Sequence, residues 1–196
     1  SILSDVEALS HCMLIWRSFT HWIGGMGVLV FILCLLPLTG GYHMNLMKAE
    51  SPGPSVSKLV PKVQSTAKIL YTIYIILTVV EIIFLLIGKM PLFDTLCLSF
   101  GTAGTGGFGI KNDSIASYST YNQVVITVFM ILFGINFNAY YLLLTKKVMQ
   151  AAKNEEVRYY LGIIGLAIVA IAINTREMFT SFGRAFQQAA FQVGSI

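Results

Sequence analysis

Charge is what this 196-residue chain has least of. Aspartate, glutamate, lysine and arginine make up 11% of it, 13 basic residues against 9 acidic, where an ordinary soluble domain carries about 25%. So few charges cannot cover a core of this size with a hydrated skin, which argues against a soluble enzyme. Disorder is excluded from the other side, by 56% hydrophobic residues and a mean hydropathy of +0.74, because disordered chains combine low hydrophobicity with high charge. Cysteine is scarce as well. Cys12, Cys34 and Cys97 lie in or beside apolar stretches without metal-ligand spacing and read as small buried hydrophobes. No starting methionine, basic n-region or cleavage site marks a signal peptide. The chain starts abruptly at Ser1 and stops at Ile196 in mid-element, as an internal fragment would. What the composition leaves is a polytopic membrane protein.

About 20 apolar residues are needed to cross a bilayer as a helix. The first candidate span runs from Ala8 to Leu38, interrupted in its first half by Arg17 and His21. The second, Ile69 to Ile87, carries a single acid, Glu81; the third runs from Asn122 to Leu144, and a shorter fourth from Tyr159 to Ile173. Pro91 to Phe100 predicts a helix too short to span. Lys48, Lys58, Lys62 and Lys68 follow the first span, and Lys146, Lys147, Lys153 and Arg158 follow the third. The positive-inside rule makes both loops cytoplasmic and puts the stretch from Gly88 to Tyr121 outside. The net charge of +4 therefore belongs to membrane topology and not to nucleic-acid binding. Ser51 to Pro54 breaks any helix in the first loop. Trp16, Trp22, Tyr118, Tyr121, Tyr140, Tyr141, Tyr159 and Tyr160 at the span ends fit interfacial anchoring.

The most informative stretch is Ser99 to Ile110, Ser-Phe-Gly-Thr-Ala-Gly-Thr-Gly-Gly-Phe-Gly-Ile, with five glycines and no charge. Irregular backbone at membrane depth is tolerated only where it is buried in protein or lines a watery cavity. A helix too short to span, a glycine turn and then a full span describe a re-entrant hairpin. Glycines can turn successive carbonyls to one side, and carbonyls can replace the water around a dehydrated cation. Two other motifs fail here. Gly104 to Gly109 matches the dinucleotide fingerprint G-x-G-x-x-G, but no βαβ unit surrounds it. It also has the outer spacing of a phosphate loop, but Ile110 stands where the lysine must be. A flexible outer loop that binds nothing is the bland alternative, although such linkers are polar and this one is bracketed by Phe100 and Phe108.

Other polar residues admit two readings each. Glu81 is an ion-pathway or helix-pairing residue, or else a carboxylate near the outer headgroups. Asn136 and Asn138 read as hydrogen-bonding glue between helices. Gly24, Gly25 and Gly27 permit close helix approach, with a bend in the first span as the alternative. Arg17 either snorkels outward or pairs with an acid such as Asp5 or Glu7. His11, His21 and His43 lack metal spacing, and no nucleophile–base pair or carboxylate dyad is visible, so no enzyme is expected.

Several stretches together resemble one family. Trp16 to Val28, Trp-Arg-Ser-Phe-Thr-His-Trp-Ile-Gly-Gly-Met-Gly-Val, is similar to the first-repeat inner helix of TrkH-type bacterial potassium transporters, of the Trk/Ktr/HKT superfamily. Phe100 to Asp113 resembles that family's second-repeat filter, Gly134 to Asn138 its second inner helix, and Phe191 to Ile196 the pore helix leading to its third filter. The resemblance implies an all-α membrane protein of helix–pore-loop–helix repeats, about one and a half of an expected four around one pore. Residues 1–67 would then end the first repeat (inner helix about 8–38) and form a cytoplasmic loop. Residues 68–147 would be the complete second repeat, with outer helix 69–87, pore helix 91–102, filter 103–109 and inner helix 121–145. Residues 148–196 would begin the third, with outer helix about 157–174 and pore helix about 178–193. The family's filter glycine falls on Gly107, followed by Phe108. Carbonyls of Thr105 and Gly106 would face potassium, with Gly104 supporting.

The same resemblance implies a homodimer in the bacterial inner membrane, no covalent cofactor, potassium as the transported ion, and a cytoplasmic nucleotide-binding partner of the TrkA type. The lysine-rich loops, Lys48 to Lys68 and Lys146 to Arg158, are the candidate docking surface. The segments of the first and third filters, the fourth repeat and the later gating loop and arginine have no counterpart in this sequence. One filter strand of four cannot enclose an ion, so this stretch alone is not expected to conduct. The reading from a different class is a non-conducting membrane assembly subunit whose glycine loop is structural; a membrane-bound oxidoreductase is the weakest alternative.

Overall fold

The computed structural model describes residues 5–27, 63–144, 149, 154–179 and 181–196. Lys48, Lys58, Lys62, Lys146, Lys147 and Lys153, with Cys34, His43, the Ser51–Pro54 turn and the side chain of Asn138, lie outside the described residues. Every described element is a helix: α1 (His11–Met26), α2 (Val63–Ile87), α3 (Leu92–Ala103), α4 (Thr120–Phe133), α5 (Phe137–Leu144), α6 (Glu155–Asn174), a 3₁₀ turn (Arg176–Met178) and α7 (Phe182–Gly194). Two of them, α2 over Ala67–Ile87 and α6, are long and apolar enough to cross a membrane. At 1.5 Å per residue, the 12 residues of α3 reach about 18 Å, well short of a hydrocarbon core of about 30 Å.

Where each helix starts and stops follows from local chemistry. Residues 88–91, Gly-Lys-Met-Pro, turn the chain between α2 and α3: Lys89 takes a left-handed φ of 57°, and Pro91 stands just before the first turn of α3. Asp94, in that first turn, complements the positive end of the helix dipole. Ser119 caps α4 by accepting from the Asn122 amide, Asn154 caps α6 by accepting from Glu156, and Ser181 caps α7 by accepting from Arg184.

α3 is the centre of the packing. It is enclosed by α1, α2 and α4, while α7 lies between α4 and α6. The core between α1, α2 and α4 is aromatic. Tyr74 is fully buried, packs edge-to-face on Phe133 and Phe137, and donates its hydroxyl to the Trp22 carbonyl at 2.7 Å. Trp22 in turn donates its indole N–H to Thr78 Oγ1 at 3.1 Å, so its tip meets α2 and not the headgroups expected of an interfacial anchor.

The expected inner helix 121–145 is interrupted. α4 ends at Phe133 and α5 starts at Phe137, with Gly134, Ile135 and Asn136 between them. A broken helix leaves carbonyls short of intrahelical donors; the Leu132 carbonyl keeps the Ile135 amide at 3.1 Å, and tyrosines add donors around the break. Tyr160 of α6 donates to the Ile131 carbonyl at 3.1 Å, and Tyr140 of α5 to the Leu132 carbonyl at 2.7 Å. Tyr160 is therefore a partner of the break and not an anchor. Asn136 donates to Glu156 at the start of α6, the interhelical role its sequence suggested. A methyl at Gly134 would collide with the Tyr160 hydroxyl, so the glycine leaves room for that ring to reach the break.

The three glycines of the first span do different things. A Cβ on Gly25 would lie 2.8 Å from Gly104 Cα and 2.9 Å from the Ala103 carbonyl oxygen, so two backbones touch there. Gly27, at a φ of 89°, ends the described helix, and Gly24 faces open space. Close approach and a helix stop are divided between neighbours.

Candidate functional site: the glycine strand after α3

The strand from Gly104 to Gly109 begins at the C-terminus of α3. The Gly106 amide donates to the Gly101 carbonyl at 3.2 Å and the Thr105 amide to Thr102 at 2.7 Å. These are the two hydrogen bonds of a Schellman cap, whose left-handed residue is usually glycine. Here it is Thr105, at a φ of 55°. A β-branched residue in that region is a true outlier, costing about 1–3 kcal/mol and persisting only where surroundings over-determine it. Gly107 is also left-handed, at 63°.

The fate of each carbonyl decides what the strand can do. Gly104 O accepts from the Thr105 hydroxyl at 2.8 Å, Gly107 O from the Ser114 hydroxyl at 2.8 Å, and Gly109 O from Arg17 Nη1 at 3.2 Å. The Phe108 carbonyl turns back toward α3, 2.9 Å from where a Cβ on Gly101 would sit. Thr105 O and Gly106 O have no hydrogen-bond partner among the described residues. Two adjacent carbonyls are thus left with unspent lone pairs at the negative end of the α3 dipole, and such groups favour a cation.

The walls behind the strand come from three places. α1 lies on one side, with Arg17 and the His21 ring against Gly104, Gly106 and Phe108. On the other, a Cβ at Gly107 would sit 3.1 Å from Phe191 Cζ and Ser195 Cβ of the α7 end and 3.5 Å from Met130 Sδ. Outward, residues 110–118 are fastened by Gln123, whose Nε2 donates to the carbonyls of Ile115, Ala116 and Tyr118. Gln187 of α7 donates to Gln123 Oε1 at 2.8 Å, tying α7 to α4. Tyr118 donates to Asp94 at 2.8 Å; its burial and the neighbouring carboxylates push its phenol well above the ordinary range. An apolar cavity of about 550 Å³ between α4, α6 and α7 reaches Thr105, with Gly134, Tyr160 and Val193 in its lining.

Of the residues singled out from the sequence, Gly104 to Phe108 form one continuous strand, with Gly104 to Gly107 half-buried and Phe108 exposed. Arg17 takes neither expected course, because its partners are the Gly109 carbonyl and the Phe108 ring, 5.8 Å from its guanidinium carbon. Asp5 and Glu7 instead hold Asn112 just beyond the strand, and the Asn112 amide keeps the Asp5 carboxyl below its usual range. Glu81 is 0% exposed, beside Thr102 of α3, with neither carboxyl oxygen in a well-formed hydrogen bond among the described residues. Its burial at the contact of α2 with α3 fits the helix-pairing reading. Cys97 is buried as expected, whereas Cys12 is exposed. Ser114 and His21 carry roles the sequence does not assign: the four-residue spacing from Arg17 on one helix face is a signal for His21, and Ser114 has none.

A helix too short to span, a strained glycine strand leaving its C-terminus, a long apolar helix before them and a pair of consecutive apolar helices after them define a membrane protein of helix–pore-loop–helix construction. Comparison with known proteins specifies which one. Residues 1–169 match the family model of the TrkH cation transport proteins, and the chain belongs to that family. It is 31% identical over 199 residues to the Trk system potassium uptake protein TrkH of Salmonella typhimurium, covering 99% of this chain and 41% of that protein. With TrkH of Vibrio parahaemolyticus it shares 32% identity over 204 residues, covering 100% of this chain and 42% of the relative. The crystal structure of the potassium transporter TrkH from Vibrio parahaemolyticus superposes with a TM-score of 0.75 at 26% identity, over 97% of this chain and 39% of the other. The chain spans about two-fifths of the length of these relatives.

Proposed function

We propose that this chain is part of the pore-forming subunit of a potassium uptake system, and that dehydrated K⁺ passes along the carbonyls of Thr105 and Gly106. The observation that carries the reading is the pair of carbonyls without partners. Their neighbours at Gly104, Gly107 and Gly109 are each engaged by a hydroxyl or a guanidinium, and the Phe108 carbonyl turns back toward Gly101, which leaves Thr105 and Gly106 as the adjacent pair available to a cation. Neutral carbonyls at the negative end of a helix replace the hydration shell of a cation without holding it too tightly to release. Gly107 fixes the turn that points them, with Gly104 and Phe108 completing the strand.

In this reading residues 68–147 are one complete repeat, flanked by the end of one repeat and the start of another, and four such strands surround the ion. The named activity of the relatives, potassium uptake, supports transport over enzymatic chemistry. A homodimer in the bacterial inner membrane, gated by a cytoplasmic nucleotide-binding subunit of the TrkA type at the lysine-rich loops, completes the proposal.

The test is Gly107→Ser in the full-length transporter. A side chain there meets both a left-handed φ, which costs about 1–2 kcal/mol for a non-glycine residue, and contacts at 3.1 Å to Phe191 and Ser195. Rubidium uptake with sodium as competitor should lose its preference for the larger ion. Unchanged uptake and unchanged selectivity would sink the filter assignment and favour a structural role for the loop.

A further inference from the structure

We infer that Arg17 and His21 are positioning residues for the filter strand of the neighbouring repeat, and that they set how well that strand distinguishes potassium from sodium. The inference rests on the filter reading above. Both residues lie on α1, four positions apart and therefore on one face one turn apart. Arg17 Nη1 holds the Gly109 carbonyl at 3.2 Å, at the outer end of the strand. His21 fills the space behind its inner end, since a Cβ on Gly104 would lie 2.5 Å from His21 Cδ2 and one on Gly106 2.1 Å from His21 Cε1. Between them stands Phe108, whose ring centroid is 5.8 Å from the guanidinium carbon and 5.8 Å from the imidazole centroid. A single rigid helix thus touches the strand at its beginning, middle and end.

Such a support is needed because the strand cannot keep its own shape. Thr105 sits in a left-handed conformation that an unsupported threonine leaves for the β region. If it relaxed, the Thr105 and Gly106 carbonyls would rotate together. Discrimination between two monovalent cations depends on the number and direction of coordinating oxygens, so a loose strand still passes ions but chooses less well. The Trp22–Thr78 and Tyr74–Trp22 hydrogen bonds fasten the same turn of α1 to α2. The brace therefore stands on the core and not on another loop.

The experiment uses the full-length transporter, in membranes, with Arg17→Ala, Arg17→Lys, His21→Ala and His21→Gln beside Gly107→Ser. Rubidium uptake is measured against rising sodium, and amounts of each protein in the membrane are normalised. Expected for Arg17→Ala is a rise of about tenfold in KM for rubidium, the size of one lost hydrogen bond to a charged group, and for His21→Ala a rise in the same direction from lost packing behind Gly104 and Gly106, each together with new inhibition by sodium. Arg17→Lys should recover part of the loss, because an ammonium still donates to the Gly109 carbonyl. His21→Gln should recover part as well, through bulk. Alanine variants that lower only Vmax, in step with protein amount, would overturn the inference and leave α1 as ordinary packing. If either alanine variant fails to accumulate, the conservative partner decides: wild-type KM and wild-type sodium competition in Arg17→Lys or in His21→Gln, respectively, overturns it too. Loss of selectivity in Gly107→Ser with none in the α1 variants removes the brace but keeps the filter. No effect in any variant removes the filter reading itself.

Discussion

Two short helices of this molecule, α3 and α7, are nearly equal in length and opposite in surroundings. α3 buries Thr95, Cys97, Ser99 and Thr102 almost completely, because α1, α2 and α4 enclose it. Two of those polar side chains turn inward to their own helix, Thr95 to the Pro91 carbonyl and Thr102 to the Leu98 carbonyl, both within 2.9 Å. α7 carries Gln187, Gln188 and Gln192 and leaves Phe182 and Phe186 exposed, while it packs mainly on α4 and α6. The difference teaches that the demands on a residue here come from what stands behind it. At the end of α3 three glycines have no room for a Cβ, Gly101, Gly104 and Gly106; at the end of α7 a Cβ on Gly194 meets only ordinary contacts at 3.6–3.8 Å.

The contrast can be broken most severely at Gly25, where α1 passes the end of α3. Gly25→Val in the full-length protein drives a branched side chain into backbone that cannot move aside. We expect a loss of about 3 kcal/mol or more and no rubidium uptake; a thermal unfolding midpoint in detergent within a degree or two of wild type would show the contact to be unimportant. Tyr118→Phe is a milder probe of the other end of α3. It removes the hydrogen bond to Asp94, with an expected cost of about 1 kcal/mol. Because the folded-state phenol is raised, that contribution is complete at neutral pH. It fades only as the pH climbs above the ordinary tyrosine range of about 10 and through the folded value. A variant whose alkaline stability profile matches wild type would contradict this. The smallest effect belongs to Gly194→Ala, which should shift stability by no more than about 0.5 kcal/mol; a large loss there would mean that both helix ends are equally confined.

Much of this architecture was legible as hydropathy and much of the site was not, for physical reasons. Apolar runs report burial in lipid or core, so the stretch 69–87 stood out. α2 nevertheless starts at Val63, because hydrogen-bonded helix continues through Gln64, Ser65 and Thr66 where apolar residues stop. The break at Gly134 is silent in hydropathy, having apolar residues on both sides; the donors that tolerate it, Tyr160 and Tyr140, are 26 and 6 residues further along the chain. The glycine strand announced itself by composition. Which residue would be left-handed did not, since Thr105 occupies a position where glycine is the usual choice. The contact of Arg17 with Gly109 crosses 92 residues, and no local rule reaches so far. Glu81 was recognisable as costly, but its depth depends on α3 lying across it.

The interruption between α4 and α5 has a mechanical meaning. A straight helix is a stiff rod, and any tilt at its far end would be delivered to Met130, which shares a contact zone with Gly107 and Phe191. With the helix interrupted at Gly134 that lever is cut, and each half is fastened separately: the first beside the glycine strand through Met130, the second through Phe137, which packs on the buried Tyr74 ring. The Tyr140 and Tyr160 hydroxyls tie the two sides of the cut to their neighbours, so the position of Met130 against the strand is set by local packing and not by a rod running the length of the span.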